Sequence, residues 1–193
     1  MAVESSFNVP DVPDTVSFAA AIALTQTLLD GLNQGSVTGA ALESTVRALV
    51  GSENGARGFF VTYLSDDRPL ADQPARAIIV ALQASPAIVA PLLVKNLVMS
   101  TAMAITHRRN QDETMAMGSE RVRSRTAQLI QRLHLPQVQA EAEQLSRAIA
   151  TKTGAYQTFL ERWGYDSEQR QAMQQALEET GIVERASRPE PMS

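Results

Sequence analysis

Chemically versatile side chains crowd between Met99 and Arg132. Met99 and Met103 stand four residues apart, Met115 and Met117 two apart, and His107 lies between the pairs. Thioether and imidazole donors suit a soft ion such as Cu(I). Methionines four apart on a helix also fill irregular gaps in a core, and Met115 and Met117 would point about 200° apart, so one ion does not easily reach both. Zinc has less support, because His107 and His134 are the only histidines and cysteine is absent. We therefore expect no metal and no cofactor, and keep copper held by the Met/His residues as an alternative.

The second constellation is Arg121, Arg125, Gln128 and Arg132, spaced four, three and four, which would line guanidiniums along one flank of a helix. Such a row grips an acidic protein partner or tracks phosphates. A solvated helix face has the same pattern, and no aromatic is interleaved for base stacking. Further on, Tyr156, Phe159, Trp163 and Tyr165 cluster. Rigid aromatic area of this kind either closes a core or anchors a partner. Phe159 and Trp163, one turn apart, are expected to face inward together. Partner binding is assigned to Arg121, Arg125, Gln128, Arg132, Trp163 and Tyr165.

Catalytic arrangements find no anchor. Asp66 with Asp67, and Asp112 with Glu113, are sequence neighbours, which on a helix point about 100° apart instead of at one substrate atom. The run GSENGARG, Gly51–Gly58, lacks the Lys-Ser/Thr pair and the preceding strand of a phosphate-binding loop. No G-x-S-x-G, H-E-x-x-H or paired E-x-x-H occurs. We assign no catalytic residue and favour a non-enzyme.

Those side chains need a scaffold, and composition says which kind. The chain has 193 residues, 44% of them hydrophobic and only 5% aromatic, a balance that suits helices over sheets in one domain of ordinary size. A net charge of -4 argues against a surface built to hold nucleic acid, although a local basic patch is compatible with it. Fifteen arginines against two lysines, Lys95 and Lys152, fit genomic base composition as well as any bidentate role. The opening MAVESSFNVPDVPD carries an acid and two prolines where a signal peptide needs a basic start and an apolar run, so the cytoplasm is the expected location.

Along the chain, Asp14 is the expected N-cap of a helix with Val16, Ala20, Ala23, Leu24, Thr27, Leu28 and Leu32 inward, closed by Gly35. A second helix spans about 37–50. Ala56, Phe59, Phe60, Tyr63 and Leu64 fall at helical spacing despite a strand-like composition, which predicts a third. Asp72 before Pro74 and Ser85 before Pro86 predict two further starts. The apolar run 77–94 is broken by Pro86 and Pro91 and reads as two buried helices, not a membrane span. From Pro86 the spacing favours, narrowly, one continuous helix to about Leu133, because Arg108, Arg109, Asp112 and Glu113 fit i,i+4 pairs; the same order also fits one helix ending and another beginning. Beyond His134-Leu135-Pro136, Val138, Ala142, Leu145 and Ile149 continue a stripe that should zip back along the first as an antiparallel hairpin. Asp166 with Gln169 makes a capping box for the last helix, which Gly181 stops.

The strings LVMSTAMAITHRRN and FLERWGYDSEQR resemble parts of uncharacterised helical proteins of cyanobacteria, over about residues 50–180. The resemblance implies a bacterial, cytosolic setting and carries no functional residue across. The expectation is an all-α fold: a single irregular helical bundle of about seven to nine helices with a long antiparallel helical hairpin. A disordered arm (1–13) would precede the helical domain (14–183) and a disordered tail (184–193) would follow it. Its expected function is protein–protein interaction, assembly or regulation with an acidic protein partner, and homodimerisation is compatible with that. Nucleic-acid binding through the arginine row is the alternative from another class, and membrane association is not favoured.

Overall fold

Helix signals recur through the chain, and the computed structural model, which describes residues 11–13 and 15–183, resolves them into an all-α bundle. Among the described residues there are nine α-helices and no strand. The first three are α1 (Phe18–Asn33), α2 (Gly39–Val50) and α3 (Glu53–Ser65); a 3₁₀ turn, Pro69–Ala71, follows. Then come α4 (Arg76–Gln83), α5 (Pro86–Arg109), α6 (Glu113–Leu133), α7 (Pro136–Thr151), α8 (Gln157–Arg162) and α9 (Ser167–Glu179). Residues 1–10 and 184–193 of the expected arms lie outside the described residues, while Val12 is partly buried against the core.

The first helix begins later than expected. Asp14 lies outside the described residues, and the N-cap is Ser17, whose Oγ accepts from the Ala20 N–H at 3.2 Å. Val16 and Leu28 are buried as expected, but Ala20, Ala23 and Thr27 are exposed, and Ala21, Thr25 and Leu29 are buried in their place. The reason is the partner helix. Gly58 of α3 approaches so closely that a Cβ there would sit 2.5 Å from the Ala21 Cβ, so the line of contact passes through the smallest side chains. Gly55 is held as tightly against the Leu49 carbonyl at the end of α2. The glycines of GSENGARG are therefore used for close packing, and Ala56, Phe59, Phe60, Tyr63 and Leu64 are all buried on α3 as their spacing predicts.

The arm from Pro86 to Leu133 is not continuous. It breaks at Asn110–Asp112, where Gln111 adopts a left-handed φ of 59° and the Asp112 carboxylate caps α6 by accepting from Met115 N–H at 3.0 Å. Arg108 and Arg109 close one helix and Asp112 and Glu113 open the next, the order that complements two macrodipoles. The long antiparallel hairpin is therefore α5 against α6, with its turn at 110–112, not at His134–Pro136. At that later break His134 is left-handed and Pro136 starts α7, which packs on α5 and α9.

Helix α5 is the central strut and touches α3, α4, α6, α7 and α9. Among the described residues it alone is long and apolar enough to cross a membrane. Val89, Leu93, Leu97 and Ala104 of this helix are buried within the bundle. The expected caps at the end of the chain are present. Asp166 and Gln169 form the reciprocal capping box, Gly181 turns the chain at a φ of 75°, and buried Gln169 also donates to Ala102 O at 3.1 Å.

Close approach makes a contrast among glycines. Gly58→Ala should cost about 1–3 kcal/mol through overpacking, and Gly55→Ala, which meets backbone, at least as much. Gly118→Ala, in open space within α6, should stabilise by roughly 0.5–1 kcal/mol. Urea denaturation of the three variants checks the order.

Candidate functional site

The arginine row occupies α6, and its side chains do not share one fate. Arg125 is 2% exposed. Its Nε donates to Asp72 Oδ1 at 2.6 Å, Nη1 to the Leu64 and Asp66 carbonyls at 3.0 and 2.6 Å, and Nη2 to Arg68 O at 2.9 Å. Four hydrogen bonds from a fork of five N–H groups leave little for a partner. Arg121 pairs with Asp67, and Arg132, which is exposed, donates to Pro74 O at 3.4 Å. Gln128 is half-buried beside Ala176 and Thr180, where α6 faces α9. The row clamps the segment from Leu64 to Pro74. Of its guanidiniums Arg132 is exposed and Arg121 partly so, while Arg125 is closed off because the chain between α3 and α4 lies across it.

That segment explains a second correction. Asp72 does not cap a helix: it ends the 3₁₀ turn, α4 starts from Ala75, and the Asp72 carboxylate is spent on Arg125. Ser85 does hold the N-cap position before Pro86, without a side-chain hydrogen bond. Asp66 grips Arg68 through both carboxylate oxygens, at 2.8 and 2.6 Å, and Arg68 reaches Asp30 of α1 at 2.6 Å. The hydrogen bonds from Arg68 hold the Asp66 carboxyl below the usual carboxylate range, against the opposing effect of its burial. Tyr63 stands beside this cluster with its hydroxyl donating to Leu70 O at 3.2 Å, and burial pushes its phenol upward.

The aromatic cluster divides. Tyr156 and Tyr165 are buried and Phe159 is half-buried between them, with ring centroids 6.2 and 6.3 Å away. Burial pushes the Tyr165 hydroxyl up to about 12. Trp163 does not turn inward with Phe159. It ends α8 as the C-cap and is 53% exposed.

Trp163 stands at a groove that the sequence reading missed. The groove, about 580 Å³, runs between α1, α3, α5 and α8. Among the described residues the exposed large apolar side chains are Phe18, Val61, Met115, Met117 and Trp163, and Phe18, Val61 and Trp163 all line it. Its charged lining is Arg57, Lys95 and Arg162 against Glu53. Arg57 lies 5.4 Å from the Phe18 ring centroid, and Lys95 lies 5.7 and 6.0 Å from those of Tyr156 and Phe159. The signals were present singly: Phe18 and Val61 lie off the buried faces of their helices, and Lys95 interrupts an apolar run.

The methionines divide between two helices, Met99 and Met103 on α5 and Met115 and Met117 on α6. Met99 lines the groove, whereas Met115 and Met117 are exposed at the start of α6. Among the described residues no group of three His, Asp or Glu side chains is placed to hold a metal.

Removing the buried guanidinium should be costly. Arg125→Met would leave three carbonyls without their donor while half-exposed Asp72 turns to water, and about 1–3 kcal/mol of stability should be lost, against no more than about 0.5 kcal/mol for Arg132→Ala. Urea denaturation measures both, and hydrogen exchange should show residues 64–74 opening first in Arg125→Met. Asp66 has a lowered folded value, so its contribution is complete above the unfolded value of about 3.9 and is lost as pH falls through the folded one. Below about pH 4 the wild type should lose stability more steeply than Asp66→Asn, as acid-limb denaturation curves will test.

A model of the family described as "Uncharacterised conserved protein UCP020893" matches residues 17–180, from the N-cap of α1 to the C-cap of α9. No curated protein and no solved structure matches the chain.

Proposed function

The chain belongs to the conserved family whose model spans residues 17–180, and we propose that it works as a non-catalytic protein–protein interaction module of the bacterial cytosol. The partner docks in the groove between α1, α3, α5 and α8. One observation carries this reading: Phe18, Val61 and Trp163, from three separate elements, expose large apolar surface into the same groove. Scattered exposed apolar residues need no explanation, but their convergence on one concavity is how hot spots are built. Within the arginine row, Arg125 drops out as a contact because its hydrogen bonds are spent inside the chain. Tyr165 drops out because it is buried. Trp163 is the residue of the original set on which the reading rests.

A photo-crosslinking amino acid at Val61, used in the producing cell, should trap one discrete partner that the same group at exposed Gln139 on α7 does not trap. Mass spectrometry of the adduct identifies it. Identical adducts from both positions, or none from either, would sink docking at this groove.

A further inference from the structure

Resting on that reading, we infer that the docking segment is an amphipathic helix with large apolar side chains on one face and carboxylates flanking them. The groove lies between helices, and among the described residues no strand offers an edge for pairing, so the helix-in-groove mode is the one this surface supports. Its apolar walls, Phe18, Val61 and Trp163, stay wet unless the occupant brings apolar surface of its own.

Charge decides the flanks. Arg57, Lys95 and Arg162 face the groove with Glu53 as the only acid, in a chain whose net charge is -4. Arg68, Arg108, Arg109, Arg121, Arg123 and Arg125 each already meet a carboxylate. Among the described residues the three groove cations have no such partner; Arg76, Arg132, Arg147, Lys152 and Arg170 also have none, but none of these five lines the groove. Arg57 and Lys95 rest over ring faces, which holds them at the groove while leaving them unmatched by an anion. An acidic segment would be steered in and a basic one repelled.

The single tryptophan, Trp163, lies in the groove and reports its occupancy without a label. Three synthetic helical peptides would share Leu and Phe at i, i+3, i+4 and i+7 and carry Glu, Gln or Lys at the flanking positions. The Glu peptide should shift Trp163 emission to the blue and saturate, binding at least about ten-fold tighter than the Lys peptide at low salt, with the gap narrowing as salt rises. Arg57→Glu combined with Arg162→Glu, both on exposed side chains, should invert the order of the Glu and Lys peptides. Lys95→Gln alone should narrow the gap without inverting it. Equal binding of all three peptides by the wild type would overturn the acidic partner while leaving groove docking in place. No response to any peptide, with a specific adduct still formed at Val61, would overturn the helical occupant; loss of the adduct as well would remove the underlying reading. A Trp163 shift caused by anionic phosphatidylglycerol vesicles but by no peptide, or by raised protein concentration alone, would overturn the proposal in favour of a lipid surface or a second copy.

Discussion

Arg125 carries a permanent positive charge to a place that water barely reaches, surrounded by the Leu64, Asp66 and Arg68 carbonyls and the Asp72 carboxylate. Desolvating a guanidinium is expensive, so the arrangement persists only because nearly every donor is matched. The match depends on the chain between α3 and α4 folding across α6, and that crossing passes the constraint outward. Arg121 holds Asp67, Arg132 reaches Pro74, and Arg68 ties the same segment to Asp30 on α1. A stretch with little helix of its own thereby becomes the joint between α1, α3 and α6. Among the described residues no buried side-chain nitrogen or oxygen is left without a partner, consistent with a polar cluster that is complete.

Around this joint the helices are placed by small residues as much as by large ones. Gly58 lets α3 settle on Ala21 of α1, and Gly55 lets it settle on the end of α2. The phenyl rings of Phe59 and Phe60 then point into the core, with Tyr63 stacked on Phe59 at 5.2 Å. Val61, on the opposite side of α3, is left facing outward. The groove is a by-product of that close approach: α3 buries its aromatic face against its neighbours and presents Val61 and Arg57 beside Phe18 and α5.

Charge is distributed with the same economy. Arg121, Arg123 and Arg125 on α6 and Arg108 and Arg109 before the 110–112 turn are matched within the chain; Arg109, for example, meets both Asp166 and Glu168 at the start of α9. Those pairs fasten elements that are far apart in sequence. Positive charge without a carboxylate partner includes exposed Arg132 at the end of the row and, at the groove, side chains contributed by α3, α5 and α8. A periodic run of one residue type does not by itself tell which of its members are spent on acceptors within the chain, as Arg125 is.

Local grammar was sufficient for much of this molecule. The all-α class, the helix at Phe59–Tyr63 despite its strand-like composition, the Asp166 capping box and the stop at Gly181 follow from spacing and capping, which act within one or two helical turns. The basic-then-acidic order at 108–113 held the right signal, but it is equally satisfied by i,i+4 pairs and by two helix ends, and only packing of α5 on α6 chose between them. What Arg125 and Asp72 do was beyond any local rule. They lie 53 residues apart, and which carbonyls meet a guanidinium is decided where α6 crosses the α3–α4 connection. The groove is of the same kind: Trp163 stands out in the sequence, but Phe18, Val61 and Lys95 do not, and the bundle alone brings the four to one surface. Sequence by itself determined the elements, because backbone hydrogen bonds and caps are short-range; tertiary structure decided burial, pairing and site, because those depend on which distant atoms share a volume without water.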